Sequence, residues 1–175
     1  MTGPASSSAA LPIAYLVLRV LIVLNWLMAV AIVLLLTAFP TRQWIMTSLH
    51  LSPSPDAERV VWGLRAIAVL GVAATPLNYA FLKQLLEIVE TVRAGDPFIA
   101  DNANRLQTIA WVLLALQILS IIIGTIANRV SSADHPLHIN AGFSIGGWLA
   151  VLLAFLLARV FAEGALMRAD LAGMV

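Results

Sequence analysis

Four long apolar stretches separated by polar segments dominate the pattern of this chain. They cover about residues 13–36, 60–82, 106–127 and 143–162. Each has roughly the 20 residues that a helix needs to cross the hydrocarbon core of a bilayer. The strands of a lipid-facing barrel would be shorter and would alternate apolar with polar residues, which these stretches do not do. The pattern therefore predicts an all-α integral membrane protein, a four-helix bundle that forms a single domain over residues 1–175.

The polar segment between the second and third spans has a helical pattern of its own. Apolar residues recur at helical spacing beyond the second span, at Leu85, Ile88, Val89 and Val92. Gly95 is a natural helix stop, and residues 96–98 (Asp-Pro-Phe) are typical of a turn. Asp101 or Asn102 is predicted to cap the third helix. The pattern thus predicts a cytoplasmic helical hairpin that extends spans two and three.

Composition excludes most soluble classes of protein. The chain is 61% hydrophobic and 11% charged, whereas soluble proteins average about 25% charged residues. Ten Lys and Arg against nine Asp and Glu leave a net charge of +1, so direct nucleic-acid binding through a basic surface is not expected. The chain has no cysteine, which excludes disulfides, iron–sulfur clusters and thiolate metal sites.

The basic residues predict the orientation in the membrane. Six lie on the side that holds both termini: Arg19, Lys83, Arg93, Arg105, Arg159 and Arg168. Four lie on the opposite side: Arg42, Arg59, Arg65 and Arg129. The cytoplasmic side of a membrane protein carries the excess of Lys and Arg. Both termini are therefore predicted to be cytoplasmic.

Small residues recur at every fourth position along the fourth span: Gly142, Gly146, Ala150, Ala154 and Ala158. Such a stripe lets another helix backbone approach closely. The spacing does not decide what the stripe packs against: the favoured interpretation is the chain's own second or third span, and a second copy, and so a homo-oligomer, stays an alternative. If the stripe carries the packing, Gly146→Leu should disrupt the bundle more than Val151→Leu.

Uncharged polar residues within the spans predict contacts between helices. Asn25, Asn78 and Gln117 are expected to donate or accept hydrogen bonds across helices rather than to bind a ligand. None of the nine acidic residues lies in the middle of a span. This argues against a proton-coupled transporter, which normally needs a carboxylate at membrane depth.

Three histidines lie in the loops opposite the termini. His50, His135 and His138 are weak candidates for a zinc or copper site, because nothing in the sequence constrains their loops and solvated histidines are the commoner case. Haem held between spans would need histidines inside the spans, and there are none. No cofactor is therefore expected.

The hairpin is the predicted surface for a protein partner. Its candidate residues are charged, turn-forming or aromatic: Glu87, Glu90, Arg93, Gly95, Pro97, Phe98 and Arg105. The acids could receive a basic partner. The alternative is a solvated face on which the hairpin's own basic residues neutralise these acids.

Two segments carry a resemblance to a known family. Residues 86–106 read Leu-Glu-Ile-Val-Glu-Thr-Val-Arg-Ala-Gly-Asp-Pro-Phe-Ile-Ala-Asp-Asn-Ala-Asn-Arg-Leu, and residues 161–166 read Phe-Ala-Glu-Gly-Ala-Leu. They resemble the central motif and the terminal segment of a bacterial four-span integral membrane family known as domain of unknown function 2975. The family's layout matches nearly the whole chain. The resemblance implies a small protein of the bacterial cytoplasmic membrane, with relatives that often neighbour small Cro-type repressor proteins.

These observations favour a non-enzymatic interaction or regulatory protein that acts through the hairpin and the tail after Arg159. The four spans of this protein are expected to lie in the lipid bilayer and to contact its hydrocarbon core. A small transporter or pore is the first alternative, and a metal-binding membrane protein that uses the loop histidines is the second.

Overall fold

The computed structural model describes residues 7–38, 55–131 and 141–172. Within them the chain forms four α-helices and no strand: α1 (Ser7–Ala38), α2 (Pro55–Arg93), α3 (Ala100–Val130) and α4 (Ile145–Ala172). Each helix is long and apolar enough to cross a membrane. The all-α class and the four spans predicted from the hydrophobic pattern are confirmed.

The helices pack in chain order, α1 on α2, α2 on α3 and α3 on α4. Among the described residues, no Cα atom of one helix lies within 8 Å of a helix other than its neighbours in sequence. The helices of the predicted four-helix bundle therefore form a row, in which each one packs on its neighbours in sequence. The physical reason is that lipid solvates apolar helix faces, so little is gained by bringing α1 against α4.

One side-chain hydrogen bond joins α1 to α2, as predicted for Asn25. Its Nδ2 donates to the carbonyl oxygen of Thr75 at 3.1 Å. Thr75 precedes Pro76, which lies inside α2 and lacks the N–H that a helix uses for its own bonds. The rings of Trp26 and Tyr79 pack beside this bond with centroids 5.8 Å apart. The contact ties α1 to α2 at the proline.

The turn between α2 and α3 is built on Gly95. This glycine has a φ of 86°, a conformation that residues with a Cβ rarely adopt. Its N–H donates to Val92 O at 3.1 Å, and that of Asp96 donates to Thr91 O at 3.1 Å. These are the two bonds of a Schellman motif, so the predicted helix stop is confirmed.

The predicted cap of α3 is wrong. The helix begins at Ala100 after Ile99, which makes no side-chain capping bond, so Asp101 and Asn102 lie inside the first turn. Asn102 is instead fully buried. Its side chain is engaged with α2 and the turn, and it is not available to the N–H groups of its own helix.

The contact between α3 and α4 follows a spacing of seven residues. On α3 the buried residues at this spacing are Ala103, Ala110, Gln117 and Gly124. On α4, Val151, Ala154 and Ala158 are buried, and Gly147 lies against Gln117. Alternating steps of four and three residues keep one face of each helix toward the other.

The predicted stripe only partly coincides with this contact. Ala154 and Ala158 are buried, but Gly146 and Ala150 are exposed, and Gly142 precedes the helix. A helix turns about 100° per residue, so a row at every fourth position drifts by about 40° per step and leaves the contact face. Packing of Gly146 and Ala150 against a second copy stays a prediction. Within the chain, Val151 is buried and Gly146 is exposed, so packing within the chain favours the opposite order for their leucine variants, and the order stays to be measured.

Candidate interaction surface at the hairpin turn and the α4 tail

The turn between α2 and α3 meets the end of α4. We call residues 94–99 the hairpin turn and residues 159–172 the α4 tail. The rings of Phe98 and Phe161 have centroids 5.2 Å apart, and a Cβ on Gly164 would lie 3.1 Å from Cδ1 of Phe98. Asp96 in the turn and Arg168 in the tail form an ion pair. The turn and the tail are therefore fastened to each other across 72 positions of sequence.

A groove of about 590 Å³ opens between these two segments. Five alanines give it its width: Ala100, Ala103, Ala162, Ala165 and Ala169. Phe98, Ile99 and Leu166 add apolar wall, and the Asp96–Arg168 pair lines it as well. A smaller depression of about 220 Å³ shares Ala103, Asn104 and Ala162 and continues to Gln107 and Arg159. We call this combined feature the hairpin–tail groove. It offers an apolar floor with polar groups along it.

The shape of the hairpin turn depends on the side chain of Asn102. Its Nδ2 donates to Thr91 Oγ1 at 2.7 Å and to the carbonyl oxygen of Pro97 at 2.9 Å. Its Oδ1 accepts from Nη1 of Arg105 at 2.8 Å. One amide thus connects the end of α2, the turn and the first turns of α3.

Glu87 and Arg105, two of the predicted partner residues, bind each other. Nε of Arg105 lies 3.0 Å from Oε2 of Glu87, and both side chains are mostly covered. Lys83 lies 3.9 Å from the other oxygen of Glu87. This pair extends the Asn102 network along α2 and α3. In this structure the two residues hold the hairpin together, and their contact with a partner stays a prediction.

The other predicted partner residues lie on the surface of the hairpin. Glu90 is exposed, and the guanidinium of Arg93 lies 5.2 Å from the ring centroid of Tyr15 on α1. Arg19 lies over the same ring at 4.7 Å. Arg93 therefore ties the end of α2 to the start of α1, while Phe98 lines the groove.

Three exposed acids at this end of the protein are in no ion pair with another described residue: Glu90, Asp101 and Asp170. Asp101 and Asp170 each follow directly on an alanine that lines the groove. Of the charged residues that line the groove, Asp96 and Arg168 pair with each other, and Arg159 pairs with Glu163. Asp101 and Asp170 therefore place two exposed carboxylates beside the groove, where they can receive a cationic group of a partner.

The predicted metal residues His50, His135 and His138 lie outside the described residues. Within residues 7–38, 55–131 and 141–172, no group of three or more His, Asp or Glu side chains is arranged to hold a metal ion.

Sequence reasoning missed two features of this surface. Asn102 and Arg105 are three positions apart, which places them on one helix face and could have suggested a joint role. The Asp96–Arg168 pair has no comparable local signal, because its members are 72 positions apart.

The model of the family described as Protein of unknown function (DUF2975) matches the chain over residues 9–174. No curated protein and no solved structure matches the chain.

Proposed function

This chain belongs to the DUF2975 family, and we propose that it is a non-enzymatic interaction or regulatory protein of the bacterial cytoplasmic membrane. One observation carries the proposal: the hairpin turn and the α4 tail, far apart in sequence, form a shared groove beside Asp101 and Asp170, which are in no ion pair with another described residue. Because two segments form the groove together, a movement of either segment changes its shape. Binding there alters the contact between α3 and α4.

The chemistry of the groove indicates the kind of partner. Its apolar wall suits an aliphatic or aromatic side chain, and Asp101 and Asp170 beside it suit a positive charge. An amphipathic helix with a basic edge offers both on one segment. We therefore propose a basic amphipathic segment of another protein as the occupant of the hairpin–tail groove.

Filling the groove tests this proposal. Ala165→Trp places a large ring in the groove, whereas Ala150→Trp places the same ring on an exposed part of α4. With a photo-crosslinking residue at Leu166, we expect a covalent adduct to a basic amphipathic segment of one partner. The yield should fall at least tenfold in Ala165→Trp and stay unchanged in Ala150→Trp. Equal yields in both variants, or adducts only to lipid, would contradict the proposal.

The orientation can be measured directly because the chain has no cysteine. The excess of basic residues supports a cytoplasmic hairpin. A single Glu90→Cys thiol on the exposed hairpin should react with a membrane-impermeant maleimide in inside-out vesicles and not in intact cells. Arg129→Cys, at the exposed far end of α3, should show the reverse pattern. Labelling of Glu90→Cys in intact cells would place the hairpin on the outer side.

A further inference from the structure

Two arginines share one aromatic ring where the start of α1 meets the end of α2. The guanidinium carbons of Arg19 on α1 and Arg93 on α2 lie 4.7 and 5.2 Å from the ring centroid of Tyr15. Because both distances end at one point, the two carbons are at most about 10 Å apart. Both arginine side chains are exposed. We call these three residues the Tyr15 cluster; its ring holds two cations beside each other by cation–π attraction.

No carboxylate of a described residue balances these two charges. Arg19 is the only charged residue of α1, and neither arginine is in an ion pair with another described residue. On α2, Glu87 is paired with Arg105, and Glu90 is exposed and in no ion pair with a described residue. Two positive charges this close repel each other, so an anion that contacts both is favoured there.

The length of the apolar run places Arg19 at one edge of the hydrocarbon core. Thr37, where the apolar span of α1 ends, is 18 residues beyond Arg19, with no other charged residue between them. This is about 27 Å of helix, close to the roughly 30 Å thickness of the core. On α2 the uncharged stretch from Arg65 to Lys83 has the same length. The two helices therefore agree on where the core ends.

Tyr15 lies outside this edge, in the layer of the lipid headgroups. It precedes Arg19 by one turn, about 6 Å along the helix. The headgroup region of each leaflet is about 5–8 Å thick, and tyrosine is enriched at this level. The guanidinium groups of the Tyr15 cluster are therefore at the depth of the lipid phosphates.

An apolar surface continues from the cluster toward the middle of the bilayer. Val23 and Trp26 follow Arg19 by four and seven positions, so they lie on the same face of α1. They are exposed by 57% and 49%. Trp26 also packs on Tyr79 of α2, so this surface follows the contact between the two helices. A chain that lies along it has its head at the arginines.

We propose that the Tyr15 cluster is a binding site for an anionic phospholipid. Arg19 and Arg93 donate to the phosphate oxygens, and an acyl chain lies along Val23 and Trp26. Basic groups between helices at the membrane edge are typical contacts of such headgroups. A zwitterionic lipid fits less well, because its ammonium group opposes the second arginine. The site lies on α1 and α2 and shares no residue with the hairpin–tail groove.

Native mass spectrometry of the full chain, titrated with phosphatidylglycerol or phosphatidylcholine in detergent, tests the site. We expect one phosphatidylglycerol to bind about tenfold more tightly than phosphatidylcholine. Arg19→Gln and Arg93→Gln should each weaken this binding about fivefold, the effect of one basic residue at a membrane surface. Arg129→Gln, at an exposed arginine near the far end of α3, removes the same charge and should leave the binding unchanged.

Thermal unfolding of the same proteins separates loss of binding from misfolding. Without lipid, Arg19→Gln and Arg93→Gln should unfold at the temperature of the wild type, because each loses a weak exposed contact and a repulsion together. Phosphatidylglycerol should raise the unfolding temperature of the wild type and Arg129→Gln more than that of either cluster variant.

Two controls identify the source of the phosphate and the role of the arginines. Inorganic phosphate should not displace the lipid, because it has no acyl chain to lie on Val23 and Trp26. Displacement by inorganic phosphate would mean a general anion site and would overturn the lipid assignment. Equal affinity for both lipids, or equal affinity of all four proteins for phosphatidylglycerol, would also overturn it.

Discussion

Replacing Gly147 with leucine is expected to destabilise the protein much more than the same change at Gly146. A Cβ at Gly147 would overlap Oε1 of Gln117 and lie 2.9 Å from its Cδ, so the Gln117 side chain must move aside and the remaining atoms of the leucine must fit into the α3–α4 contact. At Gly146 a Cβ would meet only Ser144 Oγ at 3.9 Å. Overpacking of this kind costs about 1–3 kcal/mol, while an exposed substitution stays within about 0.5 kcal/mol. Thermal unfolding in mild detergent measures the difference.

The adjacent glycines make a close control, since both changes add the same side chain to the same turn of helix. A second substitution identifies the cause: Gln117→Ala in the Gly147→Leu background removes the group that the leucine would overlap. We expect this double variant to recover at least half of the lost stability, as coupled neighbours do. Equal melting of the two leucine variants would mean that Gly147 does not lie in the α3–α4 contact.

Replacing Asn102 with alanine is expected to open the hairpin turn. Asn102 is 0% exposed, and its loss removes the donor to Thr91 Oγ1 and Pro97 O and the acceptor for Arg105. Each lost bond costs about 1 kcal/mol, and more where a buried partner stays unsatisfied. We expect a loss of about 3 kcal/mol and faster proteolysis within residues 94–99. Asn104→Ala, at an exposed position two residues on, should change neither.

The aspartate variant shows which side of the amide matters. Asn102→Asp keeps the acceptor for Arg105 but cannot donate to Thr91 and Pro97, since an ionised carboxylate only accepts. We expect it to be nearly as unstable as Asn102→Ala and equally open to protease. If Asn102→Asp behaves like the wild type, the turn rests on the contact with Arg105 and not on the two donated bonds.

The sequence by itself determined the four spans and the main helix boundary. A bilayer requires apolar helices of a certain length, and this requirement is met locally, so the hydrophobic pattern indicated each span. The stop at Gly95 was readable for a similar reason, because a left-handed residue after a helix favours glycine. Asn25 was recognised as an interhelical donor because an unpaired amide at membrane depth is costly. The segment 86–106 also carried the resemblance to the family, and the match over residues 9–174 shows that the chain belongs to it.

Only the tertiary structure decided which faces meet. Lipid covers an apolar helix face as favourably as a neighbouring helix does. The hydrophobic pattern therefore does not distinguish a buried face from one in contact with lipid. The arrangement of the helices in a row, and the position of Gly147 rather than Gly146 against α3, both follow from helix placements and rotations that no local pattern encodes. Asn102 and the Asp96–Arg168 pair likewise depend on where the turn and α4 lie in space. These contacts depend on the distance between residues in the folded chain, and their spacing along the sequence does not give that distance.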